Sequence, residues 1–257
     1  MLTYRSVNII FLVILLALVV ANQYVHIPVW SYVLAGIAYS GIQVYGSMVV
    51  SASFFIPTKC QGNRAGNAVA ISFDDGPLPV MTERILDILK SYRAPAAFFC
   101  IGQRVEKNPE ILKKISNDGH VVGNHSFLHG KFFDLQSSGK MANELQQTDR
   151  AIEEAIGAKP RFFRPPYGVT NPNLAKAIRR CGHVTVGWNV RSFDTMTKDE
   201  EDLFTRVTKN LRAGDIILFH DYCESTVNVL PRVLEYIRKA GLKVVRLDEL
   251  LNERAYA

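Results

Sequence analysis

Two adjacent carboxylates stand where a buried strand is expected to end. The apolar run Ala68–Ile71 leads into the stretch SFDDGPL, which carries Asp74 and Asp75. Like charges at the edge of a core repel each other and lose hydration, so this pair requires a cationic partner or an open site. The chemistry of the chain therefore depends on which partner its other motifs supply.

Two imidazoles follow in the stretch GNHSFLHG, where His125 and His129 are four residues apart. We expect both on one helical turn, projecting from the same face, where they can bind one cation. With Asp75 they form a set of two imidazoles and one carboxylate that leaves a position for water and substrate. This set favours Zn²⁺, with Co²⁺, Mn²⁺ and Fe²⁺ as alternatives. The competing interpretation is two exposed or capping histidines.

Three further motifs bring reactive side chains to the ends of predicted strands. RPPYG contains Arg164 and Tyr167, and its two prolines stiffen the turn that carries them. ILFHD delivers His220 from an apolar run, and NVRSFDT offers Asp194 as a partner for such a histidine. Taken singly, these motifs are also compatible with a rigid loop and a satisfied core histidine.

The elements that must position these residues are short apolar runs that alternate with amphipathic stretches, a pattern that predicts a parallel sheet. The predicted strands are Ala68–Phe73, Ala96–Ile101, His120–Gly123, Arg161–Phe163, Val184–Trp188, Asp215–Phe219 and Leu242–Arg246. The predicted helices are Met81–Tyr92, Asn108–Gly119, Gly139–Ile156, Pro172–Arg180, Lys198–Leu211 and Thr226–Ala240. An open doubly wound sheet and a closed barrel of about seven repeats both fit, and both place function at the carboxyl ends of the strands. No glycine-rich phosphate loop follows the first strand, which argues against dinucleotide binding.

The N-terminal part has a different composition. Residues 1–58 carry no Asp, Glu or Lys and a single Arg. The apolar runs at residues 7–25 and 29–56 are long enough to cross ~30 Å of hydrocarbon, so we predict a hairpin of two transmembrane helices. A cleaved signal peptide is the competing interpretation. Residues 59–68 then link the hairpin to a catalytic domain at residues 69–257.

The charge distribution bears on location and partners. Arg5 precedes the first predicted span, and Lys59 and Arg64 follow the second. This bias, which rests on few charges, places the globular part on the cytoplasmic side of an inner membrane. The net charge of +6 comes without clusters of Lys and Arg among aromatic residues, so nucleic-acid binding is not indicated. The four cysteines are scattered without a Cys-x-x-Cys pair, which argues against a cysteine zinc site.

Five motifs in this order, SFDDGP, HSFLH, RPPYG, NVRSFDT and ILFH, resemble those of a known family. They are similar to the metal-dependent polysaccharide deacetylases of carbohydrate esterase family four, relatives of the nodulation-factor chitooligosaccharide deacetylases. The resemblance covers about Val69 to Leu251. It implies an α/β fold, a distorted and incomplete (β/α) barrel, and so selects the closed arrangement of the sheet.

The resemblance also implies a role for each motif residue. Asp74 corresponds to the catalytic base, and Arg164 to the arginine that orients it. Asp75, His125 and His129 correspond to the metal ligands.

The remaining roles concern the acyl group and the leaving amine. His220 corresponds to the general acid and Asp194 to the carboxylate that tunes it, while the backbone N–H of Tyr167 corresponds to an oxyanion donor. The expected substrate contacts are Leu218 at the acetyl pocket, Pro166, Tyr167 and Trp188. Thr195 stands where family members commonly have Trp, and Arg191 where an acidic residue is frequent, so we expect an altered substrate groove.

These observations predict a metal-dependent hydrolase that removes an N-acyl group, foremost acetyl, from N-acetylhexosamine units. The expected partners are a membrane and a carbohydrate, either a cell-envelope polysaccharide or a lipid-linked precursor. An O-acetyl polysaccharide esterase is one alternative. The other is a non-catalytic carbohydrate-binding barrel, which would be expected to have lost the base, a ligand or the acid.

Overall fold

The computed structural model describes residues 2–197 and 199–257. Its helices are α1 (Tyr4–Ala21), α2 (Val29–Met48), α3 (Met81–Tyr92), α4 (Gly102–Lys107), α5 (Pro109–Asn117), α6 (Ser138–Ile156), α7 (Pro172–Cys181), α8 (Glu200–Thr208), α9 (Glu224–Lys239) and α10 (Leu247–Leu251). Its strands are β1 (Thr58–Lys59), β2 (Ala68–Asp74), β3 (Ala97–Cys100), β4 (Val121–Asn124), β5 (Phe162–Phe163), β6 (Val184–Val186), β7 (Val190–Arg191), β8 (Ile216–His220) and β9 (Lys243–Val244).

The strands form one parallel sheet in the order β1-β6-β5-β4-β3-β2-β8-β7, with β9 beside β2. Two strands lie between β5 and β2, yet Arg164 at the end of β5 contacts Asp74 at the end of β2. This contact shows that the sheet curls. Within the described residues, β1 and β7 do not pair with each other, so the barrel remains open. The fold is the distorted, incomplete (β/α) barrel that the resemblance implies.

Strand β2 lies at the centre of the sheet and divides two environments. Phe73 packs between Phe98 and Phe219, at ring-centroid distances of 5.0 and 6.0 Å, in the layer beneath the helices. Because side chains alternate along a strand, Ser72 and Asp74 point to the other face, the interior of the barrel. The apolar residues of β2 therefore hold the outer core while its polar residues reach the site.

The hydrophobic pattern predicted the strands well. Each of the seven predicted strands is present within two residues of its expected bounds, whereas β1 and β7 have only two residues each and no readable periodicity. Gly157 and Gly182 end α6 and α7 with φ of 71° and 76°, which a residue without Cβ adopts freely. The predicted helix Lys198–Leu211 corresponds to α8, Glu200–Thr208. Its predicted first residue, Lys198, lies outside the described residues.

The N-terminal residues form two helices that pack on each other. Phe11 stacks on Tyr39 at 4.3 Å, and Tyr39 Oη donates to Asn8 Oδ1 at 2.9 Å. With 18 residues and a mean hydropathy of 2.3, α1 is long and apolar enough to cross a membrane, a test that a signal sequence also passes. Among the described residues it is the one helix that does so, and the prediction of two spans is supported only for the first.

Two boundaries in the structure differ from the predicted ones. The second apolar run leaves the helical conformation at Met48 instead of Ile56, because Val50 and Ile56 turn back and are buried against the barrel. The predicted linker at residues 59–68 starts inside the sheet, where β1 pairs with β6. The segment between α2 and β2 is therefore part of the packed fold at its beginning.

Close packing around β4 generates a stability prediction. A Cβ at Gly123 would lie 2.6 Å from the ring of Phe99, so Gly123→Ala should lower the free energy of unfolding by roughly 1–3 kcal/mol. At Gly139 in α6 no atom lies within 4 Å of an added Cβ, so Gly139→Ala is the matched control and should not destabilise the protein. Equal denaturation midpoints for the two variants would contradict this account of the packing.

Candidate active site

The two aspartates sit at the carboxyl end of the central strand. Asp74 is the last residue of β2 and lies beside His220, its register partner on β8. Asp75 follows with a φ of 79°, a conformation that non-glycine residues seldom adopt. Asp74 is only 3% exposed, so its carboxylate depends on partners within the protein.

Asp75 faces the two histidines of the HSFLH motif. Its Oδ1 lies 3.6 Å from His125 Nε2 and 3.5 Å from His129 Nε2, and the three ligand atoms are all within 4.8 Å of one another. Donor atoms of a tetrahedral zinc site stand roughly 3.4 Å apart, given bonds of ~2.0–2.1 Å. Asp75 Oδ1 is buried and has no hydrogen-bond partner among the described residues. These three residues therefore fit a divalent cation.

The tautomer of His125 suits a metal ligand. Its Nδ1 lies 2.8 Å from the carbonyl oxygen of Arg164, so the Nδ1–H donates there and the Nε2 lone pair points towards Asp75. Burial, together with the nearby His129, lowers the pKa of His125 to about 3. The ring is therefore neutral at physiological pH and available to bind a cation.

The expectation that both histidines lie on one helical turn is wrong. They lie on a loop in which Ser126 and His129 have φ of 62° and 51°. Asn124 Oδ1 accepts from the Ser126 N–H at 2.9 Å, and Ser126 Oγ accepts from the His129 N–H at 3.1 Å. Between them, the N–H groups of Phe127 and Leu128 donate to Glu144 Oε2 at 3.2 and 3.0 Å. Side-chain acceptors thus replace the backbone carbonyls that a helix would use.

Arg164 holds the other carboxylate from inside the barrel. Its side chain is fully buried, and Nη1 donates to Asp74 Oδ1 at 2.7 Å and to Ser72 Oγ at 2.9 Å. Burial raises the pKa of Asp74, and the charge of Arg164 offsets part of that rise. A carboxylate with a raised pKa that is fixed in position is suited to accept a proton.

His220 and Asp194 form a second pair. His220 Nδ1 lies 2.8 Å from Asp194 Oδ1, while Asp194 Oδ2 accepts from the His220 N–H at 2.7 Å and from Thr226 Oγ1 at 2.6 Å. Burial alone would lower the pKa of His220, but the hydrogen bond and charge of Asp194 outweigh it and raise that pKa above its ordinary value. The proton on Nδ1 is thereby fixed towards Asp194, which leaves Nε2 to face a substrate.

The RPPYG motif forms the rim of the cleft. Tyr167 adopts a φ of 60° in the short 3₁₀ turn Pro166–Gly168, and its ring lies 4.7 Å from that of His129. A cleft of about 510 Å³ lies here, lined by Asp75, His129 and Tyr167. Leu128 and Tyr222 also line it. This cleft is the space in which a substrate can meet Asp75 and His129.

The predicted substrate contacts take different positions. Leu218 is buried on β8, two residues before His220. Because alternate side chains of a strand share one face, Leu218 points to the inner face, beside the site. Pro166 is buried within its turn. Trp188 is half-buried, and an added Cβ at Gly168 would lie 2.6 Å from its ring. Trp188 thus packs against the turn that forms the rim, and its contact with a substrate stays a prediction.

Sequence reasoning missed several buried polar residues around the site. Thr82 Oγ1 donates to Asp221 Oδ2 at 2.6 Å, and burial raises the pKa of Asp221 to about 7. Asp149 Oδ1 accepts from Asn124 Nδ2 at 2.7 Å and so supports the histidine loop. Glu144 and Asp149 both lie on the buried face of α6. A carboxylate on the apolar face of an amphipathic helix was the signal that could have identified them.

The barrel thus brings three carboxylates, three histidines and a buried arginine together beside the carboxyl end of β2. The family model described as Polysaccharide deacetylase matches residues 61–186. A peptidoglycan-N-acetylglucosamine deacetylase of Bacillus cereus is 36% identical over 189 residues, which cover 72% of this chain and 88% of the relative. A chitooligosaccharide deacetylase of Sinorhizobium fredii is 33% identical over 211 residues, covering 76% and 97%.

Solved structures agree with the sequence comparison. The crystal structure of the Bc1960 peptidoglycan N-acetylglucosamine deacetylase superposes with a TM-score of 0.74 at 29% identity, covering 77% of this chain and 94% of that one. The chain therefore belongs to the polysaccharide deacetylase family. It is an enzyme of the carbohydrate deacetylase class, a hydrolase of amide bonds.

We expect the Asp194–His220 pair to make the activity depend on pH. A raised pKa keeps His220 protonated to higher pH, so the role as a general acid that the resemblance implies should be lost as pH rises through that pKa. Asp194→Asn removes the charge that raises the pKa, so the basic limb of the kcat profile should move to lower pH, with kcat ~10²–10⁴-fold lower. The measurement is kcat against pH for both proteins, and an unmoved basic limb would exclude His220 as the titrating acid.

Glu144 should control the shape of the histidine loop. Glu144→Ala removes the acceptor for two backbone N–H groups, so we expect ~10–100-fold weaker Zn²⁺ binding by titration calorimetry. Glu154→Ala, on the exposed side of the same helix, is the matched control. If both variants bind Zn²⁺ like the unmodified protein, Glu144 does not position the ligands.

Proposed function

We propose that the chain is a metal-dependent hydrolase that removes the acetyl group from the nitrogen of an N-acetylhexosamine. The substrate would be a cell-envelope polysaccharide or a lipid-linked precursor. The observation that carries this proposal is the convergence of three arrangements at the carboxyl end of β2. They are the Asp74–Arg164 pair, the Asp194–His220 pair and the three candidate ligands around Asp75.

The ligand set determines what a bound ion would contribute. A divalent ion held by Asp75, His125 and His129, Zn²⁺ foremost with Co²⁺, Mn²⁺ or Fe²⁺ as alternatives, would lower the pKa of water from ~15.7 towards ~7 and polarise the amide carbonyl. The buried and unpartnered Asp75 Oδ1 supports this assignment. A neutral His125 ring supports it as well.

The protein groups divide the proton transfers between them. Asp74, held by Arg164, accepts a proton from the water that attacks the amide carbon. The backbone N–H of Tyr167 donates to the oxygen that becomes negatively charged. His220, held by Asp194, then gives its proton to the nitrogen as the C–N bond breaks. The products are acetate and a free amine, so one water is consumed for each acetyl group released.

We also propose that α1 and α2 anchor the enzyme in a cytoplasmic membrane. Both helices expose large apolar side chains, for example Leu12 at 62% and Trp30 at 62%. Surfaces of this kind fit lipid better than water. The bias of basic residues favours a catalytic domain on the cytoplasmic side.

Two variants separate metal binding from proton transfer. His125→Ala should lose most of its bound metal, whereas Asp74→Asn should retain the metal and lose ~10²–10⁴-fold in kcat. Metal content is measured by mass spectrometry, and acetate release from N-acetylglucosamine oligomers with and without chelator. Release that survives the chelator, or full activity in Asp74→Asn, would refute the mechanism. Acetate released only from O-acetylated polysaccharide would identify an esterase instead.

A further inference from the structure

The last turn of α2 is hydrogen-bonded to the loop that carries Tyr167. The N–H of Thr170 donates to the carbonyl oxygen of Ser47 at 3.0 Å, and Ser47 Oγ donates to the carbonyl oxygen of Thr170 at 2.7 Å. Thr170 Oγ1 donates to the carbonyl oxygen of Gly46 at 3.3 Å. Thr170 is only 3% exposed, so these bonds are shielded from water. The end of the N-terminal hairpin and the rim of the cleft are therefore held together.

The segment after α2 packs against a second part of the site. A Cβ added at Gly187 would lie 2.6 Å from Cys60 Sγ and 3.3 Å from Val50 Cγ1. The carbonyl oxygen of Gly187 accepts from Arg164 Nη2 at 2.9 Å. We call the end of α2 and the residues that follow it, up to Cys60, the base of the hairpin. This base packs against Gly187, which accepts a hydrogen bond from Arg164, the residue that holds Asp74. The base is therefore held to two parts of the site, the Thr170 loop and Gly187.

Exposed apolar side chains surround this base. On α2 they continue into the last turn, where Tyr45 is 62% and Met48 65% exposed. On the loop after the histidines, Phe132 is 72% and Leu135 75% exposed. Asn171, next to Thr170, donates to the backbone of this loop at 2.6 Å, which places the loop beside the hairpin. Helix end and loop together present an apolar surface of the kind that enters a membrane interface.

The short segment from Thr170 to Tyr167 limits the distance between the end of α2 and the rim of the cleft. Thr170 is three residues beyond Tyr167, and an extended chain spans at most ~3.6 Å per residue, so Tyr167 lies within ~11 Å of Thr170, which is hydrogen-bonded to the end of α2. The polar layer on each side of a bilayer is ~5–8 Å thick. With α2 in the membrane and its last turn in the polar layer, the rim of the cleft at Tyr167 lies close to the lipid headgroups.

We propose that the substrate is an acetylated amino sugar attached to a membrane lipid and is deacetylated close to its lipid phosphate. This inference rests on the proposed deacetylase function. A sugar joined directly to a lipid phosphate lies at the headgroup level, close to the rim of the cleft. Most of a finished polysaccharide strand lies farther from the membrane, beyond the reach of a site fixed at the end of α2.

The test compares two substrates that carry the same acetylated sugar. Full-length Zn²⁺-loaded protein is reconstituted in vesicles of phosphatidylethanolamine and phosphatidylglycerol. It is then given N-acetylglucosamine on a polyprenyl diphosphate in the same vesicles, or chitotetraose in solution. We expect kcat/KM at least about 100-fold higher for the lipid-linked sugar, because enzyme and substrate share one bilayer.

Variants of the apolar loop sharpen this comparison. Phe132→Ser combined with Leu135→Ser should lower turnover of the lipid-linked sugar roughly tenfold and leave chitotetraose hydrolysis unchanged. Tyr24→Ser, an exposed aromatic at the far tip of the hairpin, is the matched control and should change neither rate. Equal kcat/KM on both substrates would overturn the lipid-linked assignment and leave the deacetylase function standing. Acetate from neither substrate would refute the proposed function itself.

Discussion

The buried guanidinium of Arg164 is the constraint on which the rest of the site depends. A charge removed from water costs several kcal/mol unless it is paired and fully hydrogen-bonded. Here Asp74 supplies the opposite charge, Ser72 Oγ a further acceptor, and the carbonyl oxygens of Val186 and Gly187 complete the set. These acceptors come from β2 and from the end of β6, so satisfying one side chain ties three strand ends together across the barrel.

The adjacent carboxylates coexist because each has its own counterpart. Consecutive side chains of a strand point to opposite faces, so a regular extension of β2 would turn Asp75 away from the interior. The positive φ of Asp75 breaks this alternation and directs its carboxylate to the two imidazoles, while Asp74 keeps the guanidinium. Unusual backbone conformations of this kind cluster at functional sites, where the surrounding structure compensates their energy.

Much of the fold and the location of the site could be predicted from the sequence. Apolar runs marked the strands, and polar residues at their carboxyl ends marked the cleft, because both signals are local. The shape of the histidine loop depends on Glu144 of α6, whose contacts with Phe127 and Leu128 are set by tertiary packing that no spacing rule contains. The fixed base of the hairpin was missed for the same reason, since Thr170 and Ser47 are far apart in sequence. Local patterns thus found the chemical groups but not the supports that orient them.

A packed base of the hairpin is an advantage if the orientation of the cleft matters more than the distance over which the catalytic domain can search for substrates. A flexible linker of ten residues would let a domain sample ~16–19 Å from its anchor, enough to search for substrates above the membrane. The residues between α2 and β1 are instead partly buried against the barrel, which gives up that search volume. A substrate held in the same bilayer diffuses to the enzyme in two dimensions, so reach adds little. What such a substrate requires is a cleft at a fixed height and angle, because small errors of position weaken catalysis.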